Sequence, residues 1–178
     1  ALVVPFIMLL VLFSGEVIEI LYDPRYALAG TALFWISLRS LIQVINNIQS
    51  GTLLALGRPA FVTVSNGIGL AFLAVALPTF TINFGLTGTG LAVVLSSLII
   101  GTIQSISMIR YVKFHARIVL MPWLQLVTIM FTMVLIYSLV TSSFQAFSGF
   151  NLAHIILMTG VAGILSLINI WWLNKGTL

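Results

Sequence analysis

Hydrophobic runs separated by short polar or glycine-rich breaks fill the chain, and six of them fall at about 1–21, 31–56, 60–83, 91–112, 118–140 and 152–173. Each is near or above the roughly 20 residues that cross a 30 Å hydrocarbon layer. The breaks carry the turn chemistry. YDPRYALAG follows the first run, Gly57-Arg58-Pro59 ends the second with a glycine and a proline that cannot continue a helix, and the uncharged INFGLTGTG, 82–90, predicts a short turn between the third and fourth. Pro78 predicts a kink in the third helix. RYVKFHAR, 110–117, separates the fourth from the fifth, and TSSFQAFSGFN, 141–151, the fifth from the sixth.

The second run departs from plain hydrophobicity. On a helix turning about 100° per residue, Trp35, Arg39, Gln43, Asn46 and Ser50 fall within roughly 80° of arc, while Leu41, Val44, Ile45, Ile48 and Ala55 take the opposite face. Arg39 is the one charge inside an otherwise apolar segment. It lies about eight residues, roughly 12 Å, from the outer end of its helix. A central arginine costs roughly 2.5–3.5 kcal/mol on insertion scales, and such residues usually face a bundle interior or a water-filled cavity. Three readings are open. Arg39 snorkels to the head groups beside Trp35; the amides join helix to helix by hydrogen bonds; or Arg39, Gln43, Asn46 and Ser50 line a hydrophilic cavity and bind substrate there.

Composition sets the class. Hydrophobic residues make up 61% of the chain, charged residues 6%, and the mean hydropathy is +1.23, against about 25% charged residues in soluble domains. The expected fold is an all-α integral membrane protein with six transmembrane helices, partnered by the lipid bilayer. The charges are seven Lys and Arg against three Asp and Glu, too few to make a nucleic-acid surface. If the helices alternate, Arg58, Arg110, Lys113, Arg117 and Lys175 share one side, and Arg25 stands on the other beside Glu16, Glu19 and Asp23. The positive-inside rule makes the first side cytoplasmic, with the C-terminus on it and with Trp123, Trp171 and Trp172 as interfacial aromatics.

Little here suits catalysis. Cysteine is absent, which removes disulfides and thiolate metal sites, and His115 and His154 are isolated. No catalytic residue, cofactor or metal site is expected, and GTGLAVVL lacks the lysine and spacing of a nucleotide loop. Glu16 and Glu19 read as a solvated rim. An intramembrane cation pathway would want carboxylates, and these runs supply none, whereas one guanidinium with several amides suits an anionic or polyhydroxylated substrate. The chain opens at Ala1 inside a hydrophobic run without initiator Met or charged leader, which reads as a fragment of a longer protein.

Three stretches, GEVIEILYDPRYALAG at 15–30, GTLLALGRP at 51–59 and NFGLTGTGLAVVLSS at 83–97, follow one another in an order that resembles the C-terminal half of a polysaccharide (O-antigen type) flippase. That family belongs to the multidrug/oligosaccharidyl-lipid/polysaccharide exporter superfamily. Asp23 stands where the family often has glycine, and the resemblance covers most of the first 115 residues. It implies about 12–14 transmembrane helices in two lobes, a central cavity open alternately to each side, and transport of undecaprenyl-diphosphate-linked oligosaccharide across the bacterial inner membrane. The 1–178 chain would then be the C-terminal lobe, with an N-terminal lobe of the same protein as its partner. The competing readings are a drug/cation antiporter of the same superfamily and a non-transporting membrane subunit of a glycan-assembly complex.

Overall fold

A computed structural model describes residues 3–22, 24–113 and 115–144. Among these residues every element is helical: α1 (Val3–Leu12), α2 (Ser14–Leu21), a 3-10 turn (Pro24–Tyr26), α3 (Ala27–Ala55), α4 (Pro59–Tyr111) and α5 (Ala116–Phe144). The expected sixth segment, with His154, Trp171, Trp172 and Lys175, lies outside the described residues.

The run expected as one helix over 1–21 bends at Phe13, whose backbone (φ −110, ψ 23) is not helical. The hydrogen-bond ladder crosses the bend, with Phe13 N donating to Leu9 O and Val17 N to Phe13 O, both at 2.8 Å. Ser14 and Gly15 follow at once, two residues of modest helix propensity, and a methyl group on Gly30 of α3 would come within 3.1 Å of the Gly15 Cα. The bend therefore falls where two helices approach closely. The next helix begins at Ala27, four residues before the expected start at 31, because the 3-10 turn opened by Pro24 leads directly into it.

α3 is the hub and touches each of the other elements. Leu41 is fully buried with Met8 and Val11 of α1, and Leu53 with Met108 of α4 and Val119 of α5. Its C-terminus is closed as the sequence predicts. Gly57 takes φ +69, Gly57 N donates to Leu54 O and Arg58 N to Leu53 O, each at 3.0 Å, which is the paired 6→1 and 5→2 pattern of a glycine-terminated helix.

α4 is a helical hairpin. Its two arms, 59–84 and 86–111, are joined at Gly85, where φ 58 and ψ −138 interrupt the helix. The fold-back shows in the pairing of its side chains: Thr81 and Thr89 hydroxyls meet at 2.8 Å, Ser96 Oγ donates to Gly69 O at 2.8 Å, and Gln104 Nε2 to Ser65 Oγ at 3.0 Å. The turn expected across 82–90 is thus concentrated in a single residue. Around Pro78 the helical dihedrals persist, and the interruption comes at Gly85 instead. Helix resumes immediately after it, with Thr89 Oγ1 donating to Gly85 O at 3.3 Å.

Two helices, Leu28–Ala55 and Pro59–Tyr111, are long and apolar enough to cross a membrane, with mean hydropathies of 1.5 and 2.0. Large apolar side chains stay exposed along the first arm of α4, among them Leu70, Val75 and Ile82, the kind of surface that marks contact with a membrane or a protein partner. The packing also sorts the charges. Because Leu53, Met108 and Val119 pack together and the Phe61 and Tyr111 rings stack at 4.9 Å, the exposed Arg58, Arg110, Lys113 and Arg117 gather at one end of the bundle. Arg25 precedes the opposite end of α3, about 43 Å away at 1.5 Å per residue.

The backbone at Gly85 is accessible essentially to glycine alone. Gly85→Ala is expected to destabilise the protein by about 1–3 kcal/mol, read as a lower midpoint in SDS-induced unfolding from mild detergent. Gly67→Ala is the control. That position is exposed, helical and free of neighbours within 4 Å, so the midpoint should hold or rise slightly.

Candidate functional site

Two kinds of site are built on α3, a closed polar seam along one flank and an open groove at one end. The seam begins with Asn46, 1% exposed, whose Nδ2 donates to Ser97 O at 2.9 Å. One turn further, Ser50 Oγ donates to Gln104 Oε1 (3.1 Å), Gln104 Nε2 to Ser65 Oγ (3.0 Å), and Ser65 Oγ to Val62 O (2.9 Å). This relay ties α3 to both arms of α4. Gln49 meets Ser105 Oγ at 2.8 Å. With its amide nitrogen toward Gly101 O (3.2 Å), its oxygen also accepts from Trp123 Nε1 of α5 (3.3 Å).

Gln104 and Ser65 are fully buried, so their partners replace hydration that the interior cannot supply. One atom lacks a partner. Asn46 Oδ1 is buried without a hydrogen bond and faces Gly101, where any side chain would collide with it and with the Trp123 ring. Close approach at Gly101 and hydrogen bonding through the amides work together here, as small residues and polar glue do between membrane helices.

The predicted stripe is divided by this arrangement. Asn46 and Ser50 belong to the seam. Gln43 is half-buried and its Nε2 donates to Asn47 Oδ1 within α3 at 3.1 Å, on the open side. Arg39 is exposed and reaches back to the seam's edge, its Nε 3.4 Å from Ser97 Oγ. The division runs along the chain. Arg39 and Gln43 stay open, while Asn46 and Ser50, further along α3, lie where Ser97 and Gln104 of the second arm meet them.

Gln49, Ser65 and the second arm's Ser97, Gln104 and Ser105 were not among the predicted site residues. A signal for the second arm exists: Ser97, Gly101, Gln104 and Ser105 recur at i, i+4, i+7 and i+8, the spacing of one helix face.

The groove lies where the start of α3 meets the second arm near its turn. It encloses about 220 Å³ between Trp35, Ile36 and Arg39 of α3 and Leu86, Thr89 and Val93 of α4. Arg39 is the charged residue of its lining. A guanidinium at the lip of an aromatic and aliphatic trough can take an anionic group by paired hydrogen bonds while apolar parts rest on Trp35 and Leu86. Among the described residues no group of three or more His, Cys, Asp or Glu is placed to hold a metal.

Comparison of the chain with protein-family models, with curated proteins and with solved structures returns no match.

Gln104 links three segments at once, so Gln104→Leu leaves the Ser50 and Ser65 hydroxyls without their shared partner. The expected loss is about 1–2 kcal/mol, the range of interhelical hydrogen bonds in membranes, measured by SDS titration. Gln43→Leu, on the open side, should shift stability by less than about 0.5 kcal/mol.

Proposed function

We propose that this chain is the C-terminal lobe of a transporter that flips lipid-linked oligosaccharide of the undecaprenyl-diphosphate type across the bacterial inner membrane by alternating access. The observation that carries the proposal is the situation of Arg39. It sits within a 29-residue apolar helix, exposed at the lip of the groove, and its Nε donates to a neutral hydroxyl, Ser97 Oγ, at 3.4 Å. Among the described residues it has no carboxylate partner. A charge inserted at such cost and left without neutralisation is available to an anionic ligand.

The sequence resemblance supplies the identity of that ligand, a diphosphate carrying a polar glycan. The acids support the same sign. Glu16, Glu19 and Asp23 all precede α3, so the two helices long enough to span contribute no carboxylate for a cation pathway, which favours the flippase over a drug/cation antiporter. In the full reading the chain contributes six transmembrane helices to a two-lobed transporter. The basic end of the bundle is cytoplasmic by the positive-inside rule, the C-terminus returns to that side, and Arg39 lies toward the periplasmic half.

Arg39→Ala in the intact protein should lower export of surface polysaccharide on the order of tenfold, equivalent to about 1.4 kcal/mol, with membrane abundance unchanged. Arg39→Lys, which keeps the charge and loses the paired geometry, should fall between. Wild-type export in the alanine variant at equal abundance overturns the role given to Arg39.

A further inference from the structure

A second groove lies at the opposite end of α3 from Arg39, beneath the basic cluster. It encloses about 280 Å³ between Ile45, Ile48, Gln49 and Thr52 of α3, Met108 of α4, and Ile118, Val119 and Pro122 of α5. Its lining is mainly apolar, with Gln49 and Thr52 its polar residues. Ile48 and Ile118 are each 60% exposed, so the trough opens sideways, toward the surface that lipid would cover. From Ile45 to Thr52 it follows α3 for about 10 Å at 1.5 Å per residue.

Basic residues adjoin the lining in sequence at one end of the groove, the connection between α4 and α5. Arg110 follows Met108 in the last turn of α4, Arg117 immediately precedes Ile118, and Lys113 lies between them. All three are exposed. Glu16 and Glu19 precede α3, and among the described residues no carboxylate accompanies this cluster. Lys113 also departs from the usual choice of residue. It takes φ 57 just beyond the α4 C-cap at Val112, the left-handed position that glycine normally fills. A lysine held there puts a cation on the connection between α4 and α5 where a neutral residue would suit the backbone better.

From these observations we infer that this end of the molecule binds an anionic phospholipid of the surrounding leaflet, one acyl chain lying in the groove between α3 and α5 and the phosphate head group held by Arg110, Lys113 and Arg117. Charge complementarity selects the head group, and the apolar trough selects a chain rather than a soluble phosphate. The inference rests on the chain lying in a bilayer, and it is independent of the transported substrate.

The test is photolabelling of the intact protein in mild non-ionic detergent micelles with phosphatidylglycerol that carries a diazirine on an acyl chain. Adducts should concentrate on peptides containing 48–52 and 118–122. A tenfold excess of unlabelled phosphatidylglycerol should cut that labelling at least fivefold, and the same excess of phosphatidylcholine less than twofold. Replacing all three cations (Arg110→Gln, Lys113→Gln, Arg117→Gln) should abolish the head-group preference, and Ile48→Trp should reduce labelling of the groove without changing labelling at Leu70 and Val75. Adducts spread evenly onto the first arm of α4, equal competition by both lipids, or a preference kept in the triple variant would each overturn the assignment. Wild-type competition alone decides the matter if a variant does not fold.

Discussion

The interface between α3 and the second arm of α4 holds the structure together, and it does so by hydrogen bonds more than by burial. In water, Leu and Ile would supply the driving force for such a contact. In a bilayer they do not, because lipid tails are as apolar as the side chains they would replace. Association then needs groups for which lipid is a poor substitute. Asn46, Gln49 and Ser50 on α3, facing Ser97, Gln104 and Ser105 on α4, are such groups, and Gly101 lets the backbones come near enough for them to meet. The relay through Gln104 to Ser65 extends the same logic to the other arm, so one buried amide holds three helical segments in register.

This seam also fixes the place of Arg39. Ser97 takes part twice, its carbonyl accepting from Asn46 and its hydroxyl from Arg39. The exposed Arg39 thus stands at the rim of that interface, its Nε 3.4 Å from the Ser97 hydroxyl. The groove formed by Trp35, Leu86 and Val93 completes the setting, since it presents apolar surface directly beside the cation.

Much of this was legible in the sequence, for reasons that differ from element to element. Gly57 before Arg58-Pro59 marks the end of α3 because only a left-handed residue closes the helix there, and the structure shows that residue at φ +69. The reversal between the arms of α4 was legible from glycine and threonine between two apolar runs, yet its narrowness was not, because three glycines in 82–90 offer three places to turn and only packing selects Gly85. The bend at Phe13 is hidden for a similar reason. It falls beside Gly30, which is remote in sequence and next to Gly15 in space. The stripe on α3 is legible as a run of polar residues on one face, but a single helix carries no information on which side its neighbour will take. That choice was set by Ser97, Gln104 and Ser105 on another helix, and it divided the stripe into an inner half that binds α4 and an outer half that remains open.

Two departures from local preference mark the middle of α3 and the connection between α4 and α5. Arg39 puts a charge in a helix where leucine would insert more readily, and Lys113 puts a side chain at a backbone position where glycine would rest more easily. Neither contributes an ion pair to the fold among the described residues. Each is a cation next to an apolar groove, and both grooves are walled by α3 and α4, α5 joining them only at the Lys113 end. A fold that needed only stability would not carry both costs. Groups that burden their own helix tend to be kept for what lies outside it. On both proposals that outside partner is an amphiphilic anion, its charged group set against the cation and its apolar chain against the groove, and the seam between α3 and α4 sets the spacing of the two places along α3.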